Sequence, residues 1–276
     1  MLEKTLIPVA YGERAGELEK IGKFLEGLGT RSICLFHVNE PASLFRGTDP
    51  SWLTRLAEAL RETGLAVDVR MGDGHIASAI AEAALLEGVG GIFMKTKRRW
   101  HIETVLLGSV SRDLLRLSDL PVFVQKVRPR LSGDEGKPEH EDLKILYATD
   151  LDEASTRLLP YMMEFRGAWC HILHVRRRRA DPMAERRREK AVDEELQRTA
   201  EDLRPYFERV TVEQRIGNPA TQVLHVSEQI GADVIALGRR RQAFLSAPLG
   251  ATAERIVTGS QASIFLVPHP GRSRDP

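Results

Sequence analysis

The chain repeats itself, and this duplication limits its possible folds more than any other feature of the sequence. Three segments of the first half recur, in the same order, in the second half: SICLFHVNE (32–40) as CHILHVRRR (170–178), VDVRMGDGHIASAIAEAA (67–84) as VEQRIGNPATQVLHVSEQ (212–229), and LLGSVSRDLL (106–115) as PLGATAERIV (248–257). Matched residues such as Val38 and Val175 lie about half the chain apart. A repeat of this period predicts two copies of one fold.

A linker separates the two copies. The stretch RPRLSGDEGKPEHED (128–142) is rich in Pro, Gly and charge and has no hydrophobic period, which is typical of a surface connection. The sequence therefore predicts a first domain over 1–127 and a second over 143–270. A short tail, 271–276, follows.

Each copy alternates short apolar runs of strand length with longer stretches of helical period. The runs KTLIPVAY, SICLFHV and GGIFMK are almost continuously apolar, and amphipathic segments separate them. This order predicts an α/β domain with a parallel sheet that helices cover on both faces. Ligands of such sheets bind beyond the carboxyl ends of the strands, where the strand order reverses.

Charge and composition exclude several classes of protein. The 40 basic and 39 acidic residues give a formal charge of +1, so no overall field attracts nucleic acid or an anionic membrane. No window approaches the roughly 18 apolar residues of a spanning helix, and the apolar run at the start is too short for a signal peptide. We therefore expect no membrane association and a cytoplasmic location. The two cysteines, Cys34 and Cys170, predict buried reduced thiols.

Motifs of dedicated catalysis or metal binding are missing from the sequence. There is no G-x-x-x-x-G-K-[ST] loop, no G-x-S-x-G elbow and no H-E-x-x-H pair. On a strand, His171 and His174 of CHILH would point to opposite faces, so they cannot hold one ion together. We expect a protein that is not an enzyme, although weak ATP hydrolysis is left open.

Four features together resemble the universal stress protein family in its tandem two-domain form. They are ILYATDLDEAS (145–155), the HV ending of the second strand in both copies, the GNP turn at 217–219, and LLGSVSRDLLRLSDLPVFV (106–124). The resemblance implies two flavodoxin-like domains, each a five-stranded parallel sheet with helices on both faces. It also implies an internal pseudo-dimer through the last strands, with homodimerisation possible.

The resemblance also implies an adenine nucleotide site in the second copy. ATP-binding family members place an aspartate after the first strand and use main-chain groups near the end of the second. They hold phosphate with G-x-x-G followed, nine residues later, by G-S or G-T at a helix start, where backbone N–H groups approach the anion. The matching residues are Ala148, Thr149, Asp150, Val175, Gly217, Gly238, Arg241, Gly250, Ala251 and Thr252.

Both copies depart from that pattern. In the second copy Arg241 replaces the second glycine, and only eight residues separate it from Gly250. In the first copy Ala10 stands where the second has Asp150, and Lys95 and Arg98 replace both loop glycines. We expect the first site to be lost or altered, and the second to favour AMP or ADP over ATP, with any need for Mg²⁺ left open.

Each of these residues also has a plainer interpretation. Asp150 could cap a helix or form an Asx-turn, and Arg239, Arg240 and Arg241 could be a solvated loop. The segment 176–190 has seven arginines and one lysine against three acids, and we expect a solvated helical arm. The hypothesis is a cytoplasmic stress-response protein that binds AMP, ADP or ATP in its second domain. The alternative is a nucleotide-free module that docks protein or, less favourably, nucleic acid.

Overall fold

The computed structural model describes residues 2–39, 51–96, 108–126, 143–151, 157–165, 167–176, 182–240 and 249–269. Its contacts divide the chain into two compact units. Unit 1 comprises Met1–Lys95 and Gly108–Gln125, and unit 2 comprises Thr96–Leu107 and Lys126–Pro276. The domain bounds predicted above remain a prediction, and the expected linker and tail lie outside the described residues.

Unit 1 alternates strands and helices from its first strand to its last. The strands are β1 Lys4–Pro8, β2 Ser32–Asn39, β3 Ala66–Asp73, β4 Gly91–Lys95 and β5 Val122–Gln125. The helices are α1 Ala15–Gly27, α2 Ser51–Arg61, α3 Ile76–Leu86 and α4 Ser109–Leu117.

Unit 2 follows the same plan. Its strands are β6 Lys144–Thr149, β7 Gly167–Arg176, β8 Phe207–Ile216, β9 Val234–Arg240 and β10 Ser263–His269. Its described helices are α5 Leu159–Met162, α6 Pro182–Leu203, α7 Pro219–Ile230 and α8 Ala251–Gly259.

Both sheets are parallel, as their alternation with helices predicted. The strand order is β3-β2-β1-β4-β5 in unit 1 and β8-β7-β6-β9-β10 in unit 2. Corresponding pairs have matching registers, with Leu6 opposite Ile92 in unit 1 and Leu146 opposite Ile235 in unit 2. The predicted pair of five-stranded α/β domains is therefore confirmed. In each unit the order reverses between the first and fourth strands.

The apolar strands form the core of each unit. The central strand residues Leu6, Ile33, Ile145 and Ile235 are 0% exposed. Phe93 and Phe123 stack at 5.1 Å under α1 in unit 1, and Phe265 packs edge-on against Phe165 in unit 2. Each core also contains one buried cysteine, Cys34 in β2 and Cys170 in β7. Strands buried on both faces explain why no polar alternation marks them in the sequence.

Capping residues determine where α7 begins and ends. The Asn218 side chain accepts a hydrogen bond from Thr221 N at 3.1 Å, and Pro219 follows as the first helical residue. Gly231 ends the helix in the left-handed region, with φ of 63°. These caps fix where the GNP turn leaves β8.

The predicted arm at 176–190 is corrected in part. Pro182–Leu203 is a helix with a largely exposed first half. Arg176, however, lies at the end of β7 and is only 5% exposed. An arginine at the end of a buried strand is covered by the helix that follows, which charge counting does not reveal. Among the described residues, no helix is both long and apolar enough to cross a membrane.

Candidate functional site

The end of β6 lies where unit 2's strand order reverses. Asp150 follows this strand and is exposed. The next residue, Leu151, has φ of 60° and is the one non-glycine residue with positive φ in the described part of the chain. The Thr149 hydroxyl accepts a hydrogen bond from Leu151 N at 3.0 Å and holds this bend. Strained backbone of this kind collects at ligand sites, because surrounding structure must maintain it.

The end of β7 lies beside Asp150. His174 Nδ1 hydrogen-bonds Thr149 O at 2.9 Å and so joins β7 to the bend after β6. Val175 follows at this edge, and Gly217 N donates to Arg176 O at 3.1 Å. Gly217 has φ of 145°, which favours glycine at this turn. Asp150, Val175 and Gly217 are therefore gathered at the carboxyl edge of the sheet.

The predicted phosphate residues are only partly described. Gly238 lies within β9, opposite Val267 of β10, and not in a loop as the sequence suggested. Strand pairing continues through Arg240 because β10 extends alongside it. Arg239 is 5% exposed, so the plainer interpretation, a solvated arginine loop, does not hold for this residue. Arg241 lies outside the described residues.

The start of α8 provides backbone donors for an anion. Gly250 precedes the helix with φ of 95°, and the exposed residues Ala251 and Thr252 form its first turn. The first N–H groups of a helix lack intrahelical acceptors and carry the positive end of its dipole. Glu254 also lies in this turn.

Acidic residues on α6 neutralise Arg176. Its Nη1 pairs with Glu185 Oε1, and its Nη2 lies 3.0 Å from Glu189 Oε1. Behind this pair, the Gln214 amide donates to Glu189 O at 3.2 Å and to Asp193 Oδ1. These bonds hold the first half of α6 against the ends of β7 and β8, next to Val175.

Unit 1 has an ion cluster in the corresponding place. Lys95 Nζ donates to Glu13 Oε2 at 2.8 Å and to Glu17 Oε2, which joins the β1–α1 segment to the end of β4. Burial acts to lower the pKa of Lys95, but the bonds to Glu13 and Glu17 outweigh it and raise the pKa. The Lys95 bond likewise lowers the pKa of Glu17. Unit 1 therefore has Ala10 at the position of Asp150 and Lys95 at the position of Gly238. The Lys95 ammonium and the carboxylates of Glu13 and Glu17 lie at this edge.

Aromatic rings occupy the next part of the unit 1 edge. Trp52 packs edge-on against His37 at 5.0 Å and against Tyr11 at 5.6 Å. His37 Nδ1 hydrogen-bonds Val9 O at 2.9 Å, just as His174 does with Thr149 O. Both histidines belong to the repeated HV sequence. The repeated HV sequence could have predicted this shared hydrogen bond. It was interpreted only as the end of the second strand.

In unit 2, a second polar network lies on the face of β7 and β8 that is opposite to His174. Thr211 Oγ1 contacts His171 Nδ1 at 2.8 Å and accepts a hydrogen bond from Trp169 Nε1 at 2.7 Å. Glu213 Oε2 lies 3.0 Å from His171 Nε2. Burial lowers the pKa of His171 despite the opposing effect of Glu213. Both ring nitrogens have partners, so this network joins the two strands. Within the described ranges, no group of three His, Cys, Asp or Glu side chains could hold a metal ion.

Comparisons with known proteins agree with the duplication. A family model described as "Universal stress protein family" matches twice, over residues 24–126 and 143–268. The resemblance drawn from the sequence is confirmed by these matches. None of the curated proteins matches this sequence.

Solved structures show the same tandem fold. A universal stress protein from Archaeoglobus fulgidus is 22% identical, with a TM-score of 0.71, and the match covers 98% of this chain and 99% of that one. A Pseudomonas aeruginosa protein given the same family name is 18% identical, with a TM-score of 0.72, over 97% of this chain and 93% of its own. At these identities the likeness concerns the fold.

Proposed function

Because this chain belongs to the universal stress protein family, we propose that unit 2 binds an adenine nucleotide at its carboxyl edge and that unit 1 does not. The observation that carries the proposal is Asp150, exposed at the point where the strand order reverses and followed by the strained residue Leu151. Unit 1 has Ala10 at the matching position, beside the Lys95 cluster.

In this proposal Asp150 binds the ribose, main-chain groups near Val175 contact the base, and the start of α8 binds phosphate. Ala148, Thr149 and Gly217 shape the edge, while Gly238, Arg241 and Gly250 to Thr252 surround the phosphate. The eight-residue spacing between Arg241 and Gly250, one residue shorter than the family pattern, supports AMP or ADP over ATP. Asp150 is then committed to the nucleoside, so we propose binding without dedicated hydrolysis.

The role we propose is a response to stress in the cytoplasm. In this role the protein changes state when unit 2 binds or releases its nucleotide. Two buried, unpaired thiols are suited to a reducing compartment. The alternative, docking of protein or nucleic acid through basic loops, has less support, because Glu185 and Glu189 neutralise Arg176.

The test is to identify small molecules released from the purified full-length protein and to titrate it with AMP, ADP and ATP in a calorimeter. We expect one site per chain and a markedly weaker site in Asp150→Ala. Asp68→Ala is the matched control, because this carboxylate lies on β3 of unit 1. If wild type neither retains a nucleotide nor gives binding heat with any of the three, the proposal is wrong.

A further inference from the structure

A threonine on the outer strand of the unit 2 sheet has its hydroxyl oriented by two neighbours. Thr211 lies on β8, which pairs with β7 alone in the described part of the chain. Thr211 Oγ1 accepts a hydrogen bond from Trp169 Nε1 at 2.7 Å and lies 2.8 Å from His171 Nδ1. Thr211 is half-buried, whereas His171 is buried. The hydroxyl is therefore accessible from the sheet edge while its histidine partner is held in place.

The hydrogen bonds of this network determine where its protons lie. Glu213 Oε2, which accepts as a carboxylate, lies 3.0 Å from His171 Nε2, so Nε2 carries the proton and Nδ1 is an acceptor. An indole N–H can only donate, so the Thr211 oxygen accepts from Trp169 and points its own hydrogen at Nδ1. The order hydroxyl, imidazole, carboxylate is the arrangement in which a base activates a nucleophile and a third group orients the base.

The charge states of the network suit a base at neutral pH. Burial lowers the pKa of His171 in spite of Glu213, so the imidazole is neutral at pH 7 and able to accept a proton. Burial acts to raise the pKa of Glu213, but the bonds from Arg215 and His171 outweigh it and lower the pKa. This carboxyl group is therefore ionised and stabilises the imidazolium that forms when the hydroxyl loses its proton.

Two arginines flank Thr211 on the same face of β8. Arg209 and Arg215 stand two residues before it and four residues after it, and side chains at even spacing share a face. Arg215 Nε binds Glu213 Oε1 at 2.5 Å. The Arg209 guanidinium lies 4.4 Å above the centre of the Trp169 ring, and it pairs with no carboxylate of the described residues. Two guanidinium groups against one carboxylate attract an anionic reactant to the hydroxyl.

We propose that Thr211 is an acyl-acceptor site, modified by an anionic, activated acyl donor of the acyl phosphate class. His171 takes the hydroxyl proton as Thr211 Oγ1 bonds to the carbonyl carbon. The bond from that carbon to the phosphate oxygen breaks, and the imidazolium gives the proton to the departing phosphate. Trp169 Nε1 stabilises the charge that develops on Oγ1, and Arg209 attracts the phosphate. The product is an O-acyl threonine, and the site does not depend on the proposed nucleotide function.

Unit 1 has no counterpart of the base. Counted back from the matched residues Val38 and Val175, Cys34 stands at the position of His171. Burial raises the pKa of the Cys34 thiol to about 11, so at pH 7 it is protonated and cannot take a proton from a hydroxyl. We therefore expect acylation of this kind in unit 2 and none on β3 of unit 1.

The test treats the full-length protein with acetyl phosphate at pH 7 and locates acetyl groups by peptide mass spectrometry. We expect an acetyl ester on Thr211, which hydroxylamine removes, whereas acetyl-lysine amides resist hydroxylamine. Thr199 is the matched control within the same sample. It is also half-buried, but it lies on α6 and its hydroxyl donates to Glu195 O, so it should stay unmodified.

Variants then test the role of each group. His171→Gln should slow ester formation by at least about 100-fold, the usual contribution of a positioned base. Thr211→Val should abolish the ester and Thr211→Ser should retain it. Glu213→Gln should slow ester formation by a smaller factor than His171→Gln, because it keeps the orientation of the ring and loses only the charge. Circular dichroism identifies any variant that does not fold.

Three outcomes would overturn the inference. The first is a wild-type protein whose lysines are acetylated while Thr211 carries no ester, a result that needs no variant to fold. The second is a phosphoryl group on Thr211 in place of the acetyl group. The third is an unchanged rate of ester formation in folded His171→Gln, because the hydroxyl would then react without its base.

Discussion

The carboxyl edges of the two units show how one fold can carry two different sets of side chains. Both edges have the same strand order and the same histidine-to-carbonyl bond, through His37 and His174. Unit 1 fills its edge with the Lys95 cluster, whereas unit 2 has glycine at 238 and an exposed Asp150. The two units therefore share the backbone framework of this edge, and they differ in a few of its side chains.

Two lysines, one half-buried and one buried, sharpen this contrast. Lys95 is paired with carboxylates, and its pKa is raised. Lys126, which belongs to unit 2, donates to Val257 O at 2.7 Å and to Ser260 O at 2.5 Å, and no carboxylate of the described residues pairs with it. Burial lowers the pKa of Lys126 to about 8. The two amines therefore make stability respond to pH in opposite directions.

The largest expected effect concerns Lys126. Its folded pKa of about 8 lies below the ordinary value of 10.5, so the unfolded chain binds more protons between these two pH values. The stability of unit 2 should therefore rise from pH 8 to pH 10.5, by an amount on the order of 3 kcal/mol. Urea unfolding across this range measures it. Lys126→Met should flatten the rise, and an equal rise in this variant would contradict the assignment.

Lys95→Met should destabilise unit 1 by about 2 kcal/mol at pH 7, because it leaves the partly buried Glu13 and Glu17 carboxylates facing each other. In wild type the stabilisation by Lys95 is complete below pH 10.5 and is lost as pH rises through its raised pKa. The measurement is urea unfolding, with Lys4→Met as control. Glu87 retains Arg70 in that control, so we expect a loss under about 1 kcal/mol. Equal losses would mean that the cluster is an ordinary surface pair.

Two single variants, Asp150→Ala and Ala10→Asp, test whether Asp150 is the only difference that matters between the edges of the two units. Asp150→Ala should reduce AMP affinity by about 10- to 100-fold, the usual value of a hydrogen bond to a charged group. Ala10→Asp should not create a second site, because Lys95, Glu13 and Glu17 still occupy that edge. The number of sites per chain measured by calorimetry decides this. Two sites per chain in Ala10→Asp would show that the Lys95 cluster does not block the edge of unit 1.

The smallest expected effect concerns the two glycines before α4 and α8. Gly250 has φ of 95°, while its counterpart Gly108 has φ of −66°. An added Cβ meets no atom of the described residues within 4 Å at either position, so the backbone conformation is what distinguishes them. Gly250→Ala should cost about 1–2 kcal/mol and Gly108→Ala close to none. Thermal unfolding of both variants measures this, and equal melting temperatures would show that Gly250 is not held in the left-handed region.

The sequence was most informative where the signal was periodic or repeated. The apolar runs and the duplicated segments were sufficient to predict two parallel α/β sheets, and the family resemblance added the five strands of each. It was least informative where a side chain depends on a distant element. The covering of Arg176 by α6 and the extension of β9 through Gly238 both depend on partners far along the chain.

The buried cysteines give each unit its own chemical reporter. Cys34 lies in unit 1 and Cys170 in unit 2, both are 0% exposed, and burial raises the pKa of each thiol, that of Cys34 to about 11. A thiol reagent reacts with such a group only after the surrounding unit opens. The alkylation rates of the two cysteines, separated by peptide mass, would thus report the opening of each unit in the unmodified chain. Added nucleotide should slow the labelling of Cys170 and leave that of Cys34 unchanged.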